Sequence, residues 1–230
     1  MGSAATRFQV VTDALALAGR GNELRQSANA WLNYSLRDVG LTFRFPELRK
    51  FGTPITLGIG QNTVSLPPDI GNGMDKSGMI FGPDVKPLNE VSFEEFANTR
   101  GFPIPNQTGR PQKYMVDLEA NLFRFDNVAD QAYTFTPVYF MTPPQLPINS
   151  TGDSQYLWIN NDIIAVHALI WWIYCFTNDD REQAQEQRVE RLLNKWKRET
   201  VKMGGTSRVY PSPQRFKNTS FMGFGGFTGP

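Results

Sequence analysis

The stretch from Ile163 to Phe176 reads IIAVHALIWWIYCF, fourteen residues without a formal charge. It is followed at once by TNDDREQAQEQRVERLLNKWKRETVK, one of the most highly charged runs in the chain. Fourteen helical residues rise about 21 Å, whereas a helix needs about twenty apolar residues to cross the core of a bilayer. The stretch therefore predicts a helix buried inside a protein and not one that enters a membrane.

The composition of the whole chain excludes several classes of protein. With 230 residues, of which 40% are hydrophobic, the chain can bury a sizeable core in one domain, or in one domain with an insertion. A formal charge of +1 gives no strong attraction to DNA or to anionic lipid. A single cysteine forms no internal disulfide, and together with a single histidine it predicts no metal cluster and no cofactor. We also expect no secretory signal, because the first residues lack its basic region, apolar core and cleavage site.

Two helices are predicted within residues 1–50. In RFQVVTDALALAG the apolar positions recur every three or four residues, and Gly19 supplies a stop. In NELRQSANAWLNYSLRDVG a longer apolar stripe includes Trp31 and Leu36, with Asn22 suited to cap the helix and Gly40 to end it. A short glycine-containing turn joins the two, so we expect an antiparallel helix hairpin.

A second helix pair is predicted within residues 161–203. Asn161 is expected to cap the apolar helix, and Thr177 or Asn178 to cap a charged helix that runs to about residue 203. Acids crowd the N-terminal end of the charged helix and bases its C-terminal end, as the helix macrodipole favours. Because the stretch from Ile163 to Phe176 is apolar all round, other helices must cover it on several sides. We therefore expect it to be the central helix of a four-helix core.

Residues 51–160 predict strands, since their apolar residues alternate and most of the prolines lie there. TPITLGIGQNTVSLPPDI indicates two strands around Gly60, and KYMVDLEANLFRFDNV indicates a hairpin with its turn at residues 119–121. QAYTFTPVYFMTPPQL indicates a further strand, in which Pro137 marks an edge or a bulge. VSFEEFANTRG indicates a short helical turn. The predicted fold class is α+β: a core of about four helices with an inserted β-rich region and an extended C-terminal tail.

Residues 204–230 form that tail and cannot pack a domain of their own. They contain six glycines, three prolines and no acidic residue, a composition typical of a disordered segment. Aromatic side chains along a glycine-rich thread would also suit a segment that becomes ordered in a partner's groove. The candidate partner-binding residues are Arg208, Tyr210, Arg215, Phe216, Lys217, Phe221, Phe224 and Phe227.

The sequence contains only weak indications of a catalytic site. His167 and Cys175 lie eight residues apart on one predicted helix, about 80° apart around its axis, so they cannot form a nucleophile–base pair. His167 is better explained as a buried core histidine. The carboxylates of Glu94–Glu95, or of Asp117 with Glu119, are of the type that performs acid–base hydrolysis, but such pairs occur in any chain with 22 acidic residues. No nucleotide-binding, serine hydrolase or zinc peptidase motif is present, and we predict no catalytic residues and no enzymatic activity.

The order of these parts resembles the head-to-tail adaptor, or head completion, proteins of tailed bacteriophages, chiefly those of short-tailed phages. The resemblance begins with VTDALALAG and NELRQSANAWLNYSLRDVG and continues through SLPPDI and LNEVSFEEFANTRGFPIPNQTGRPQKYMVD. It then covers FTPVYFMTPPQL, the two long helices and the tail. The most distinctive series is SLPPD, an E-F turn, the element from Gly109 to Tyr114 and a strand with a proline-rich exit.

The resemblance implies a structural virion protein of the phage neck, made in the host cytoplasm. Such adaptors form rings, usually of twelve copies, beneath the portal protein of a DNA-filled head, and their β-rich part commonly faces the tail or nozzle proteins. The C-terminal tail would reach along the portal. Double-stranded DNA would pass through the channel without specific binding, which a near-neutral net charge suits.

Two alternatives stay open at the level of the sequence. One is a tail tube or tail-terminator component, in which the β-rich region would be a self-associating sheet. The other is a phage lytic or DNA-processing enzyme that uses Glu94 or Glu119.

Overall fold

The protein is described by a computed structural model at residues 5–81, 87–100, 107–149 and 152–203. Within them, the α-helices are α1 (Arg7–Ala18), α2 (Arg25–Thr42), α3 (Phe93–Arg100), α4 (Asp162–Thr177) and α5 (Glu182–Met203). The β-strands are β1 (Arg49–Phe51), β2 (Ile55–Leu57), β3 (Thr63–Ser65), β4 (Ile70–Phe81), β5 (Pro87–Glu90), β6 (Lys113–Asp117), β7 (Leu122–Phe125) and β8 (Tyr133–Met141).

Side-chain caps fix the starts of α1 and α4. Thr6 and Gln9 form a reciprocal capping box at the start of α1, and Gly19 ends the helix in the left-handed conformation. The Asn161 side chain accepts the backbone N–H of Ile164 at 3.2 Å, as predicted for the start of α4. Asn178 caps the C-terminal end of α4 instead of starting the next helix. The stop at Gly19 and the cap at Asn161 are confirmed, whereas the expected role of Asn178 at the start of the next helix is wrong.

Two predicted helix ends lie elsewhere in the structure. Asn22 begins a short 3-10 turn and gives no side-chain cap to α2, which starts at Arg25. Gly40 does not stop α2 but lies inside it, where a Cβ atom would come within 2.3 Å of Pro143. The glycine is therefore required by the close approach of the loop that follows β8.

Helix α4 contacts α1, α2 and α5. Nine of its residues are buried, including Leu169 and Ile173, which are fully buried. Its first apolar residue, Ile163, and its last, Phe176, are 55% and 54% exposed. The apolar stretch thus fills the interior of the helical layer, while both of its ends reach the surface.

The eight strands form one curled, mixed sheet in the order β1-β8-β4-β5-β6-β7-β3, with β2 also paired to β8. Only the β5–β6 pair is parallel within this sheet. The concave interior holds its own core of aromatic and aliphatic side chains, in which the rings of Phe125 and Phe135 stack with centroids 5.2 Å apart. The predicted hairpin of β6 and β7 is confirmed, with Tyr114 opposite Phe125.

The expected fold, a four-helix core with a β-rich insertion, is wrong. The strands, including the β6–β7 hairpin, join in one large sheet with a separate core and are not small pieces attached to a helical body, and a fifth helix, α3, packs against this sheet. The error has a physical origin: strand alternation reveals single strands, whereas sheet formation depends on pairing between distant segments. Here β8 pairs with β1, β2 and β4, which all lie more than fifty residues earlier in the chain.

Strand β8 decides between the two predicted positions of Pro137, a sheet edge and a bulge, in favour of the bulge. This proline does not lie at a sheet edge, since β8 has neighbours on both sides. Its partner Met79 lies next to a register shift in β4: four residues separate Met74 from Met79, whereas only Val138 separates their partners Tyr139 and Pro137. The irregularity of β4 accommodates a residue that has no N–H to donate.

Candidate interaction surfaces

An aromatic cluster lies on the surface where α2 and α4 meet. The ring of Trp31 stacks on that of Phe176, with centroids 5.1 Å apart and planes 7° apart. Trp172 lies 5.6 Å from Phe176 and 5.8 Å from Tyr34 between ring centroids. Tyr34 is 49% exposed and Phe176 54%. We call these four residues the aromatic patch, and clustered exposed rings of this kind mark interaction sites.

Periodicity alone did not distinguish this patch from the core. Leu36 is buried, as its place on the stripe of α2 predicts, but Trp31 on the same stripe is only partly buried. Trp172 is likewise only partly buried. The signal that sequence reading missed is the spacing of aromatic residues three or four positions apart on each of two helices, which brings their rings together.

A buried cation joins α1 to the segment before α4. The Arg7 side chain has no exposed surface, and its guanidinium lies 2.8 Å from the Asp153 carboxylate. Its nitrogens also donate to the backbone carbonyl oxygens of Pro147 and Asn149. Gly152 allows this packing, because a Cβ there would collide with both Arg7 and the Pro147 carbonyl. No sequence pattern indicates this anchor, since Arg7 resembles an ordinary polar residue of an amphipathic helix.

His167 is a buried residue of α4 with a satisfied hydrogen bond. Its Nδ1 lies 2.9 Å from Nε2 of Gln185, which also donates to the His167 carbonyl at 3.0 Å. Burial, with a smaller effect of Arg188, lowers the pKa of the imidazole below its ordinary 6.5. Burial raises the pKa of the Cys175 thiol to about 12, with the Glu182 carboxylate adding to the effect. Neither group is poised for nucleophilic catalysis at neutral pH.

The buried, neutral state of His167 predicts a pH-dependent stability. As pH falls, the unfolded chain protonates this imidazole before the folded chain does, so its contribution is complete above about pH 6.5 and is lost below it. We expect His167→Gln to reduce this loss, as measured by urea unfolding between pH 7.5 and 5.5. The raised pKa of Glu186 has the opposite effect on the pH dependence of stability. Because Glu186 is present in both proteins, this effect cancels in the comparison. A stability difference that stays constant over this range would contradict a buried neutral histidine.

The carboxylates considered for hydrolysis have structural partners or lie on the surface. Asp117 accepts the backbone N–H of Ala120 at 2.9 Å and the Nε–H of Arg124 at 2.7 Å, and both bonds lower the pKa of Asp117. Glu119 is exposed. Glu95 lies 3.2 Å from the ammonium of Lys113. Asp117 thus stabilises a turn, whereas Glu95 lines the cleft beside β4, β5 and β6 together with Glu90.

A cleft of about 570 Å³ lies beside β4, β5 and β6. Tyr114 lines it with a buried hydroxyl that lies beside the Glu90 carboxylate. Burial, and then the nearby Glu90 carboxylate, raise the pKa of this hydroxyl far above its ordinary value. The cleft therefore presents a protonated phenol beside a carboxylate, with Arg44 and Lys76 also on its walls.

The eight tail residues predicted to bind a partner, between residues 208 and 227, lie outside the described part of the chain. Within the described part, no group of histidine, cysteine and acidic side chains is arranged to hold a metal ion. No helix there is both long enough and apolar enough to cross a membrane.

Comparison with known proteins identifies the family. The sequence profile described as SU10 adaptor protein matches residues 6–216, from the cap of α1 through the sheet and α5 into the first part of the tail. No curated protein matches the chain. The match confirms the resemblance at the level of phage head–tail adaptors, for which a structural and not an enzymatic role is implied. The chain belongs to the SU10 adaptor protein family and is thus a structural adaptor of the phage virion.

Proposed function

We propose that the protein forms a ring beneath the portal in the neck of a short-tailed phage, joins the DNA-filled head to the tail and continues the channel for DNA. The observation that carries this proposal is the aromatic patch, since a structural adaptor with clustered exposed rings needs a protein surface to cover them. A ring of about twelve copies, as the family resemblance implies, would supply that surface on each neighbour.

In such a ring every contact joins two different faces of the subunit. The aromatic patch would supply one face. The separation of charge along α5, with acids such as Glu182 near its start and bases such as Lys195 and Arg198 near its end, gives the subunit a polarity that favours one orientation of the neighbour. Because four rings alone cover less area than a stable interface needs, we expect the isolated protein to be mostly monomeric and the portal to act as a template.

We expect Tyr34→Glu combined with Phe176→Glu to prevent ring formation on the portal while leaving the melting temperature nearly unchanged. Both side chains are about half exposed, so the charges cost little in the monomer, whereas burying them in an interface costs several kcal/mol. The measurement is electron microscopy of portal incubated with each protein. The control is Ile59→Glu with Leu118→Glu, two isolated exposed residues on the sheet side. Rings of normal size with the patch variant would show that the interface lies elsewhere.

We also propose that residues 204–230 dock on the portal through their aromatic and basic side chains. Each ring buried on docking contributes about 1.5–3 kcal/mol before the ordering of the segment is subtracted. The portal groups that pair with Arg208, Arg215 and Lys217 would be acidic. DNA would slide through the ring without being held, because the formal charge of the chain is +1.

Deleting residues 221–230 is expected to leave the melting temperature unchanged and to weaken attachment to portal-containing heads by at least about tenfold. The deletion removes three phenylalanines, each worth about one power of ten in affinity when buried. The measurement is co-sedimentation with heads. A matched variant, with Phe221, Phe224 and Phe227 all changed to serine, keeps the length of the chain and should behave like the deletion. If either variant attaches to heads as strongly as the unaltered protein, these residues of the tail do not contribute to binding the portal.

A further inference from the structure

The exposed side of α5 carries a row of cations. We call it the basic stripe, and its residues are Arg188, Arg191, Lys195 and Arg198. They follow one another at intervals of three or four positions, so they lie along one side of the helix. All four side chains are exposed, and none forms a salt bridge or a side-chain hydrogen bond with another residue of the described part of the chain. The stripe therefore offers its charges to a partner.

Two carboxylates lie on the opposite side of the same helix. Glu186 and Glu190 are half-buried and line a small groove between α2 and α5. We call this pair the acidic flank. Since each helical residue is rotated by about 100° from the one before it, Arg188 and Lys195 lie about 160° and about 180° around the axis from Glu186. The cations and the carboxylates of α5 thus belong to different faces of the subunit.

The acidic flank lacks a cation of its own. Within the residues that the structure describes, neither glutamate has a salt-bridge or side-chain hydrogen-bond partner. Partial burial, and then the charges of nearby carboxylates, first that of Glu190, raise the pKa of Glu186. An ammonium or guanidinium group from another molecule, placed between Glu186 and Glu190, would relieve this repulsion.

The acidic flank adjoins the aromatic patch. The groove that the flank lines is also lined by Trp171, whose ring centroid lies 6.2 Å from that of Trp172 in the patch. Asp38 lines the groove as well and follows Tyr34 of the patch by one turn of α2, but it has an interaction of its own and is not part of the flank. The patch and the flank therefore form one continuous face.

A row of cations suits two classes of partner, DNA and an acidic protein surface. A ring that repeats the basic stripe on every copy would make many phosphate contacts if the stripe lined the channel, and such contacts bind DNA tightly and in a salt-dependent way. The proposed channel instead lets DNA slide. The matching acidic surface is present on the chain itself, on the far side of α5.

We infer that, in the proposed ring, the basic stripe of one copy binds the acidic flank of the next copy, with Arg191 and Lys195 against Glu186 and Glu190. Because stripe and flank lie on opposite sides of α5, one copy can use both at once, each with a different neighbour. A ring contact requires two such different faces. The contact also brings the neighbour beside the aromatic patch, which it would cover. The inference rests on the proposed function and names the two surfaces that meet.

Coupling with a carbodiimide tests the contact in the full-length chain. The reagent joins a carboxylate to a lysine ammonium only where the two groups touch, and Lys195 is the single lysine of the stripe. Ordinary and isotopically heavy protein are mixed in equal amounts at low salt. We expect an amide between Lys195 and Glu186 or Glu190 that joins a light chain to a heavy one. The same bond within one chain is prevented, because the groups lie on opposite sides of α5.

Two conservative variants and salt serve as controls. Lys195→Arg keeps the charge but offers no ammonium to couple, so the amide should fall at least about tenfold. Lys197→Arg changes a half-buried lysine that does not belong to the stripe, and it should leave the amide unchanged. In 1 M NaCl the amide should be lost, because salt screens the attraction between the two surfaces.

Reversed charges give a second readout on the portal. Arg191→Glu with Lys195→Glu makes both surfaces of the subunit negative, and Glu186→Lys with Glu190→Lys makes both positive. We expect neither variant alone to form rings in electron micrographs, since like charges then meet at every contact. An equal mixture of the two should form rings of normal size, because each copy again meets its opposite. A general attraction between proteins of opposite charge would not produce rings.

The outcomes separate this inference from the proposed function. Rings of normal size from either variant alone, or the absence of an amide between light and heavy chains, would overturn the inference. If Lys195 forms no amide but duplex DNA protects it from acetylation, the stripe faces DNA instead. If the amide forms but the unaltered protein makes no ring on the portal, the ring proposal fails while the contact between copies stands.

Discussion

Replacing Arg7 by methionine is expected to lower the free energy of unfolding by about 3 kcal/mol, near the lower end of the range for breaking a buried ion pair. The Arg7 side chain is fully buried, and its donors reach the Asp153 carboxylate and two backbone carbonyl oxygens. Methionine fills much of the same volume but donates no hydrogen bond, so these acceptors lose their partners. Asp153 is 33% exposed and regains some hydration from water, which limits the loss.

The measurement is urea unfolding of both proteins at neutral pH. The matched control is Arg49→Met, which removes an arginine that is 41% exposed and lies 3.1 Å from Asp75. An exposed pair of this kind contributes about 0–1 kcal/mol. Similar losses in the two variants would mean that Arg7 is not the anchor that the structure shows, and that the segment before α4 is held by other contacts.

Features that depend on neighbouring residues could be predicted from the sequence. The stop at Gly19, made by its backbone, and the cap at Asn161, made by its side chain, each involve only residues a few positions apart. The β6–β7 hairpin has a short turn, where Asn121 adopts a positive φ of 58°. Such signals are contained in short windows of sequence, and the structure places them where periodicity and turn chemistry indicate.

Strand β4 shows why the sheet could not be predicted. Its sequence, IGNGMDKSGMIF, contains three glycines and no regular alternation, so it carries no strand signal. The three positions require glycine for different reasons. A Cβ at Gly71 would lie 2.7 Å from the Thr142 nitrogen, whereas Gly73 and Gly78 have positive φ values. All three reasons arise from the contact with β8 and from the bulges between the strands. The glycines of β4 are therefore explained only when its pairing with β8 is known.

The interaction surfaces depend on how helices cover one another. Helix α4 is apolar on all sides, so its sequence does not tell which residues the neighbouring helices leave uncovered. The structure shows that Phe176 and part of Trp172 remain outside and meet Trp31 and Tyr34 of α2. The family resemblance indicated that the protein has interaction surfaces. The position of the aromatic patch follows only from the packing of α2 against α4, which are distant in sequence.

Leu169→Ala in the middle of α4 is expected to lower the free energy of unfolding by about 3–4 kcal/mol. The side chain is fully buried where α4 contacts its three neighbouring helices. Its truncation removes the transfer free energy of the lost methyl and methylene groups and leaves a cavity that rigid helices fill only in part. The helix itself is not weakened, because alanine has the highest helix propensity. The measurement is urea unfolding with an unchanged dependence on denaturant.

The control lies on the same helix. Ile163→Ala removes a side chain of equal size that is 55% exposed, and we expect a loss of no more than about 1 kcal/mol. The two variants have matched chemistry and differ in burial, so their difference measures how fully the helical layer covers the apolar stretch. If Leu169→Ala were as mild as Ile163→Ala, the middle of α4 would be open to a partner in the free protein. In that case the exposed interaction surface would extend along the helix beyond the aromatic patch, and the monomer would need a neighbour to bury it.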